Sequence, residues 1–345
     1  MSVKTSKSLD YLRKTIFAPF LDECKGLTEL AVNRPDELFT KEQGKWIRHE
    51  VKLSVDDCLA FLNPLANLNM DYIGKEKPIL SGTLPTGERI QAILPPACEK
   101  NTISMTIRKP SQRIITHADF VSQGFYSKLE NPENITNHYV TDNLLSELYQ
   151  QKKYSEFLPE CLRQGKTTVF CGGTGSGKTT FGNSVLEFIP DYCRMISIED
   201  NDETRFRHHK NYVKLFYPAD DRDAIITPSL LLRSCYRMNP DRILMTEIRG
   251  AEAWEFMKGT SSGHSGGITT VHENTPEDAI CGIIERCYQN PECNNLPYNV
   301  LLRKVLNNID VIMSIKYFDE QDKRFASGIY FKDLNRNEFF DKLKV

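Results

Sequence analysis

The sequence predicts an α/β protein in two parts, a larger C-terminal domain built on a mostly parallel sheet and a smaller α+β domain before it. Three observations point there. A glycine-rich loop stands between a short apolar strand and a helix; strands and helices alternate beyond it; and short alternating strands separated by turns fill the first third. The loop is Gly172-Gly173-Thr174-Gly175-Ser176-Gly177-Lys178-Thr179, with Thr180 behind it, and it fits G-x-x-x-x-G-K-[ST] without gap or mismatch. Thr167 to Cys171 before it reads as a buried strand. Thr179 to Ile189 reads as a helix anchored by Phe181, Val185, Leu186 and Ile189 and ended by Pro190. In that context the glycines let backbone N–H groups turn inward around phosphate oxygens at the positive end of the helix. Lys178 can then reach the β- and γ-phosphates, and the Thr179 hydroxyl can join a Mg²⁺ shell.

Taken in order, residues 8–23 read as an amphipathic helix with Leu9, Leu12, Ile16, Phe17, Phe20 and Leu21 on one side, bent or ended by Pro19. Its basic residues, Lys7, Arg13 and Lys14, could touch an anionic membrane surface, but an ordinary packed helix with a solvated face is the preferred reading. Residues 27–50 hold short alternating segments split by turns, which is a small sheet. Ser54 caps a helix through Leu65, with Asp57 in the box position. Candidate strands follow at 78–83, 88–94 and 102–108, so residues 1–112 form the α+β domain. Pro110, Pro132 and the polar run Glu130 to Asn137 mark a connection over 113–140, with a short helix near 117–123. The domain at 141–345 opens with helices near 142–151 and 154–163. Its later strands are expected at 193–199, 211–217, 241–246 and 267–271, and its helices near 228–237, 251–260 and 276–288. Two final strands, near 309–316 and 326–332, are joined by a charged hairpin-like loop and close one sheet edge.

Hydrolysis needs an acid near Mg²⁺ and a group to orient water. Two strand ends supply candidates where open α/β sheets place ligands. One strand ends in Glu199-Asp200-Asn201-Asp202-Glu203; the other, Arg242 to Thr246, ends in Glu247, the arrangement that holds Mg²⁺ or its water. A third segment, Gly263-His264-Ser265-Gly266, puts a histidine between glycines, where a neutral imidazole can donate near a γ-phosphate. His264 and His272 lack a carboxylate or cysteine pattern that would make them metal ligands.

The bulk numbers narrow the classes. The 345 residues suit two domains, and 44 Lys+Arg against 46 Asp+Glu give no electrostatic reason to expect nucleic-acid binding. No apolar run approaches the roughly 18 residues of a membrane span, and the N-terminus lacks a secretory h-region. Ten cysteines without C-x-x-C spacing fit free thiols in a reducing cytoplasm. Cys281, Cys287 and Cys293 recur every six residues, which puts them on no single helix face and argues against zinc.

These motifs together carry a resemblance. The phosphate loop, Ile198-Glu199-Asp200-x-x-Glu203, Leu232-Arg233-x-x-x-Arg237-Met238-x-Pro240-Asp241-Arg242-Ile243 through Glu247-Ile248-Arg249-Gly250-x-Glu252-Ala253, and Gly263-His264-x-Gly266 with Thr269-Thr270-x-His272 stand in order. They resemble the hexameric traffic ATPases of type IV secretion and conjugation systems, within the secretion-ATPase superfamily. There the blocks are the Walker A, Asp box, Walker B and His box, and the likeness is dense over 167–290. It implies an N-terminal domain and a RecA-like ATPase domain in stacked hexameric rings. ATP and Mg²⁺ are the implied cofactors, and other cytoplasmic and inner-membrane components of the machine the implied partners. The implied location is cytoplasmic, with a peripheral contact at the inner membrane as an option. Ser104-Met105-Thr106-Ile107-Arg108-Lys109-Pro110-Ser111 also resembles the segment that ends the family's N-terminal domain and whose arginine reaches the nucleotide. The resemblance thus implies Lys178, Glu203, Glu247, His264 and Arg108 as catalytic residues, and Thr179 and Glu247 at the metal. The chain departs from the pattern at Thr246, where a glycine is usual, in its acidic Asn201-Asp202 centre, and in a long 204–227 segment. Type II secretion and pilus-retraction ATPases form the alternative within the superfamily, but their usual four-cysteine zinc module has no counterpart here. A ring-shaped nucleic-acid motor would want a basic stripe, and a binding module without turnover would not need both Glu203 and Glu247.

Overall fold

A computed structural model of the chain describes residues 3–24, 26–110, 115–126, 143–219 and 224–345, without the side chains of 3–8, 143 and 319. The first sheet is antiparallel throughout, in the order β3-β2-β1-β6-β5-β4. Its strands are β1 (Leu27–Arg34), β2 (Glu37–Glu42), β3 (Lys45–Glu50), β4 (Ile79–Thr83), β5 (Arg89–Ile93) and β6 (Ser104–Arg108). Helix Val55–Leu68 lies against it, begun by a complete Ser54–Asp57 capping box and burying Cys58, Phe61, Leu62 and Leu65. The N-terminal helix runs Val3–Ile16 and restarts as one turn at Ala18–Leu21, with Pro19 inside the restart. Its Arg13 is not free for a membrane surface. It is 7% exposed and forks onto Asp22 at 2.8 and 2.9 Å while also pairing with Glu88.

A short helix, His117–Ser122, follows, and it buries none of its residues. The expected breaks at Pro132 and 130–137 lie outside the described residues. Beyond them, helices Asn143–Gln150 and Tyr154–Arg163 lead into β7 (Thr168–Cys171), every residue of which is buried. A strand buried on both faces belongs at the centre of a parallel sheet. The order is β13-β12-β7-β11-β10-β8-β9, from β8 (Met195–Glu199), β9 (Tyr212–Phe216), β10 (Arg242–Met245), β11 (Ile268–Val271), β12 (Val311–Phe318) and β13 (Lys323–Phe331). All neighbours run parallel except β12 with β13, the closing hairpin. It is longer toward its tip than expected. Two helices complete the layer that the sequence reading leaves unassigned, Tyr298–Asn308 and Lys332–Leu343. The latter buries only Phe339 and so presents little apolar periodicity to read.

The two sheets are joined by a buried polar knot. Arg194, just before β8, has no exposed surface. Its Nη1 donates to Asn33 at 2.8 Å and Asn211 at 2.6 Å, Nη2 to Thr106 at 3.3 Å and Nε to the Met238 carbonyl at 3.0 Å. Its guanidinium also faces the Trp46 ring at 5.2 Å. Asn33, Trp46 and Thr106 belong to the first sheet, and Asn211 and Met238 to the second domain. Burial pulls the Arg194 pKa down to about 10, with Glu29 and Asp241 opposing. Beside the knot, Trp46 Nε1 donates to Asp241 at 3.1 Å, and Phe216 N donates to the Ala97 carbonyl at 3.0 Å. A buried guanidinium costs energy unless every donor is used, and removing it strands its acceptors. Arg194→Ala should therefore lower the unfolding free energy by about 3 kcal/mol, against about 1 kcal/mol for Thr106→Val. Urea denaturation followed by tryptophan fluorescence measures both.

Candidate nucleotide site

The loop after β7 lies at the carboxyl ends of the parallel strands, and the side chains that face it leave neighbouring strands at the same edge. A cleft of about 380 Å³ is lined by Gly175, Gly177, Lys178, Thr179 and Thr180 from the loop. Asp200, Asn201 and Glu203 line it from beyond β8, Thr246, Glu247 and Arg249 from beyond β10, Thr270 and His272 from β11 and its end, and Arg324 from β13. Gly172 touches the β12 backbone so closely that a Cβ there would strike the Ile315 carbonyl oxygen and the Ser176 hydroxyl. Gly177, at φ +90°, takes the left-handed turn that starts helix Lys178–Val185.

The loop suits a phosphate. The Ser176 hydroxyl is buried with no partner among the described residues. Among the described residues the amides of Gly175, Gly177 and Lys178 have no protein acceptor. Lys178 is 7% exposed and curls onto the Gly172 and Gly173 carbonyls at 2.8 and 3.0 Å. Burial lowers its pKa while Glu247 pushes the other way.

The carboxylates are held by name. Glu247 takes Arg249 at 2.9 Å on one oxygen and His272 Nε2 at 3.2 Å on the other. His272 Nδ1 lies 3.4 Å from Lys178 Nζ and 3.5 Å from the Thr174 hydroxyl. An ammonium only donates, so Nδ1 accepts and the ring proton sits on Nε2, facing Glu247. His272 thereby bridges the loop lysine and the strand-end glutamate, a role that its place in a motif alone did not reveal. The signal was its position: it follows β11 directly, at the strand end that faces the cleft. Glu199 is fully buried and accepts from Ser197 and, at 2.9 Å each, from the amides of Glu203 and Thr204. That carboxylate shapes the turn presenting Asp200 and Glu203. Asn183, on the loop's helix, donates to the Glu203 carbonyl at 3.0 Å and accepts from Arg205 N at 2.9 Å, tying the acidic turn to the loop. Asp202 points elsewhere, to Lys214 at 2.6 Å and Arg205 at 2.8 Å.

Of the expected residues, Lys178, Thr179, Glu203 and Glu247 meet in this cleft, and Arg108 and His264 do not line it. Arg108 ends β6 on a second cavity of about 400 Å³ with Arg89, Gln91, Tyr236 and Arg237, and its nearest acid is Glu29 at 3.7 Å. His264 precedes β11, at the end of the sheet away from the cleft, and stacks on Tyr236 with centroids 5.0 Å apart. No group of three or more His, Cys, Asp or Glu side chains converges to hold a metal among the described residues. Thr179 and Glu247 are lining residues that could offer a hard cation oxygen donors.

Burial lowers the His264 pKa, partly offset by the Pro240 carbonyl, and burial lowers that of His209 as well. The unfolded chain protonates these rings first, so the stability they contribute is present above about pH 6.5 and is lost as pH falls toward the depressed folded values. His264→Gln should therefore flatten the fall in melting temperature between about pH 7.5 and about pH 5, read by thermal melts of both proteins across that range.

Residues 133–314 match the family model described as Type II/IV secretion system protein. The chain is 35% identical over 318 residues to Type IV secretion system protein VirB11 of Brucella suis biovar 1, spanning 91% of this chain and 87% of that protein. It is 35% identical over 311 residues to Type IV secretion system protein PtlH of Bordetella pertussis, spanning 89% and 91%. The crystal structure of the VirB11 ATPase from the Brucella suis type IV secretion system, in complex with sulphate, matches with a TM-score of 0.90 at 33% identity over 98% of both chains. With a mostly parallel sheet carrying the phosphate loop and a smaller antiparallel domain before it, this chain belongs to the Type II/IV secretion system protein family and, within it, to the VirB11 group of type IV secretion traffic ATPases.

Proposed function

We propose that the chain hydrolyses ATP with Mg²⁺ and that turnover energises substrate translocation or pilus assembly in a type IV secretion machine. One observation carries this: the chain from Lys178 through His272 to Glu247, facing a loop whose amides and Ser176 hydroxyl await acceptors. On this reading the loop amides and Lys178 bind the β- and γ-phosphates, and Thr179 and Glu247 hold Mg²⁺, which neutralises phosphate charge as it develops. Glu203, whose side chain has no hydrogen-bond or ion-pair partner among the described residues, orients the attacking water. His272 holds Glu247 and Lys178 in register and can pass a proton between them. Arg249, paired with both Asp200 at 2.9 Å and Glu247, keeps the two acidic strand ends together. Arg108 would reach the phosphates only through a domain shift or from a neighbouring subunit, and His264, in the same sheet as the loop but at its far end, only from a neighbouring subunit.

Lys178→Ala should abolish nucleotide binding, and Glu247→Gln should keep ATP bound while turnover falls by about two orders of magnitude or more. His272→Ala should fall between wild type and Glu247→Gln. A phosphate-release assay with a parallel binding titration checks all three, and wild-type turnover in Lys178→Ala would reject the assignment.

The machine's cytoplasmic and inner-membrane components are the proposed partners, at the cytoplasmic face of that membrane. None of the helices is long and apolar enough to cross a membrane among the described residues. The cleft is open, and its γ-phosphate side lacks an arginine from the first sheet, so we propose a homo-hexameric ring in which a neighbour covers it. Mass measurement at micromolar protein with saturating ATP-Mg²⁺ should give six subunits, and a persistent monomer would reject the ring.

A further inference from the structure

The cleft has a second wall that the reaction above does not use. Every acid that faces the loop comes from β8 or β10, and His272 comes from β11; all three strands lie on one side of β7. On the other side stand β12 and β13, and from β13 a single cation, Arg324, lines the same cleft. Its approach is close: a Cβ on Gly177 would lie 2.7 Å from Arg324 Cδ and 2.8 Å from Nε. The approach is also built in. β12 passes under Gly172, its register with β13 shifts between Ser314 and Ile315, and the outer half of the hairpin then pairs Tyr317 with Arg324. A bulge of this kind bends and twists the strand, here turning the hairpin tip over the start of the loop's helix. The guanidinium lies 4.8 Å from the Tyr317 ring centroid, and among the described residues it forms no ion pair with a carboxylate.

A polyphosphate lying along the loop has a direction. Its γ end must lie beside the carboxylates and His272, because Lys178 and Glu247 are linked there. Its α end then points across Gly177 toward the β12–β13 flank. We propose that Arg324 is a nucleotide-binding residue that donates to the α-phosphate of the bound nucleotide, with Tyr317 holding the guanidinium over the loop. The inference rests on the reading of the loop as an ATP site. An arginine over an aromatic ring is held for anion recognition by its face while its edge donors stay free. Because ADP and ATP share the α-phosphate, the contribution is equal for both, which is uniform binding rather than transition-state binding.

The test is a fluorescence titration with ADP and, on a Glu247→Gln background, with ATP-Mg²⁺. Arg324→Ala should weaken both by the same factor, about tenfold. In the otherwise wild-type protein, KM should rise with kcat at saturation held within about twofold. Arg324→Lys, which keeps the charge, should recover most of the affinity, and Arg324→Gln, which keeps length without charge, should not. Arg324 is exposed, so these changes do not threaten the core. Unchanged affinity in Arg324→Ala while Lys178→Ala abolishes binding would overturn the Arg324 assignment alone. Recovery by Gln equal to recovery by Lys would also overturn it, since that is a packing role. If neither Arg324→Ala nor Lys178→Ala weakens ADP, the reading of the loop itself fails.

Discussion

The contact on which the site depends is the approach of Gly172 to the backbone of β12. The loop leaves β7 at a point where no side chain fits, because the Ile315 carbonyl and the Ser176 hydroxyl occupy the space a Cβ would take. That contact fixes the height of the loop above the sheet. Once the height is set, Gly177 can turn left-handed into helix Lys178–Val185, and Lys178 folds back onto the Gly172 and Gly173 carbonyls. Any residue larger than glycine at 172 would lift the loop or push β12 away, and both the Lys178–His272 contact and the Arg324 approach would go with it.

The second constraint lies at the other end of the parallel strands. Arg194 is a charged side chain without exposed surface, each of whose three nitrogens donates to buried groups, which come from both domains. Such a knot holds only one arrangement, since sliding either sheet by a residue would leave several buried donors or acceptors unpaired. Outer strand β9 is treated similarly. Cys98 bridges to Leu215, so the edge of the second sheet is partly covered by the first domain.

Much of this was legible in the sequence, for reasons that are local. The loop, the capping box at Ser54 and the apolar strands each carry their signal within a few residues. The strand-end carboxylates Glu203 and Glu247 were legible because parallel strands deliver their carboxyl ends to one edge. The same rule separates the two histidines. His264 precedes β11 and His272 follows it, so only the second reaches the cleft, and applying strand polarity to both would have ranked them. Arg324 was beyond that rule. The expected hairpin left 317–325 as its loop, whereas β12 and β13 pair out to Phe318 and Lys323 and so make Arg324 a strand residue at the carboxyl edge. Arg108 was placed correctly at a strand end, yet the packing of one domain on the other, which no local pattern encodes, sets it beside Tyr236 and Arg237 instead of at the loop.

Strand β8 connects these two constraints. Arg194 stands immediately before it, inside the joint between domains, and Glu199 closes it, organising the turn that presents Asp200 and Glu203 to the cleft. Five residues of strand span about 17 Å, and β8 is hydrogen-bonded along that length to β9 and β10. β10 has the same polarity, with Asp241 at the joint before it and Glu247 at the cleft beyond it. A strand paired on both sides does not compress, so a change in the position of the acidic turn relative to the loop is carried to Arg194 and Asp241 as a movement of whole strands. Among the described residues, β7, which bears the loop, shares no hydrogen bond with the Arg194–Asp241 joint. The cleft therefore draws on a strand held against β12 and on two strands tied to the first domain, with β11 hydrogen-bonded between them. What joins the two sides is β11 and, just beyond its end, His272, which stands between Lys178 and Glu247.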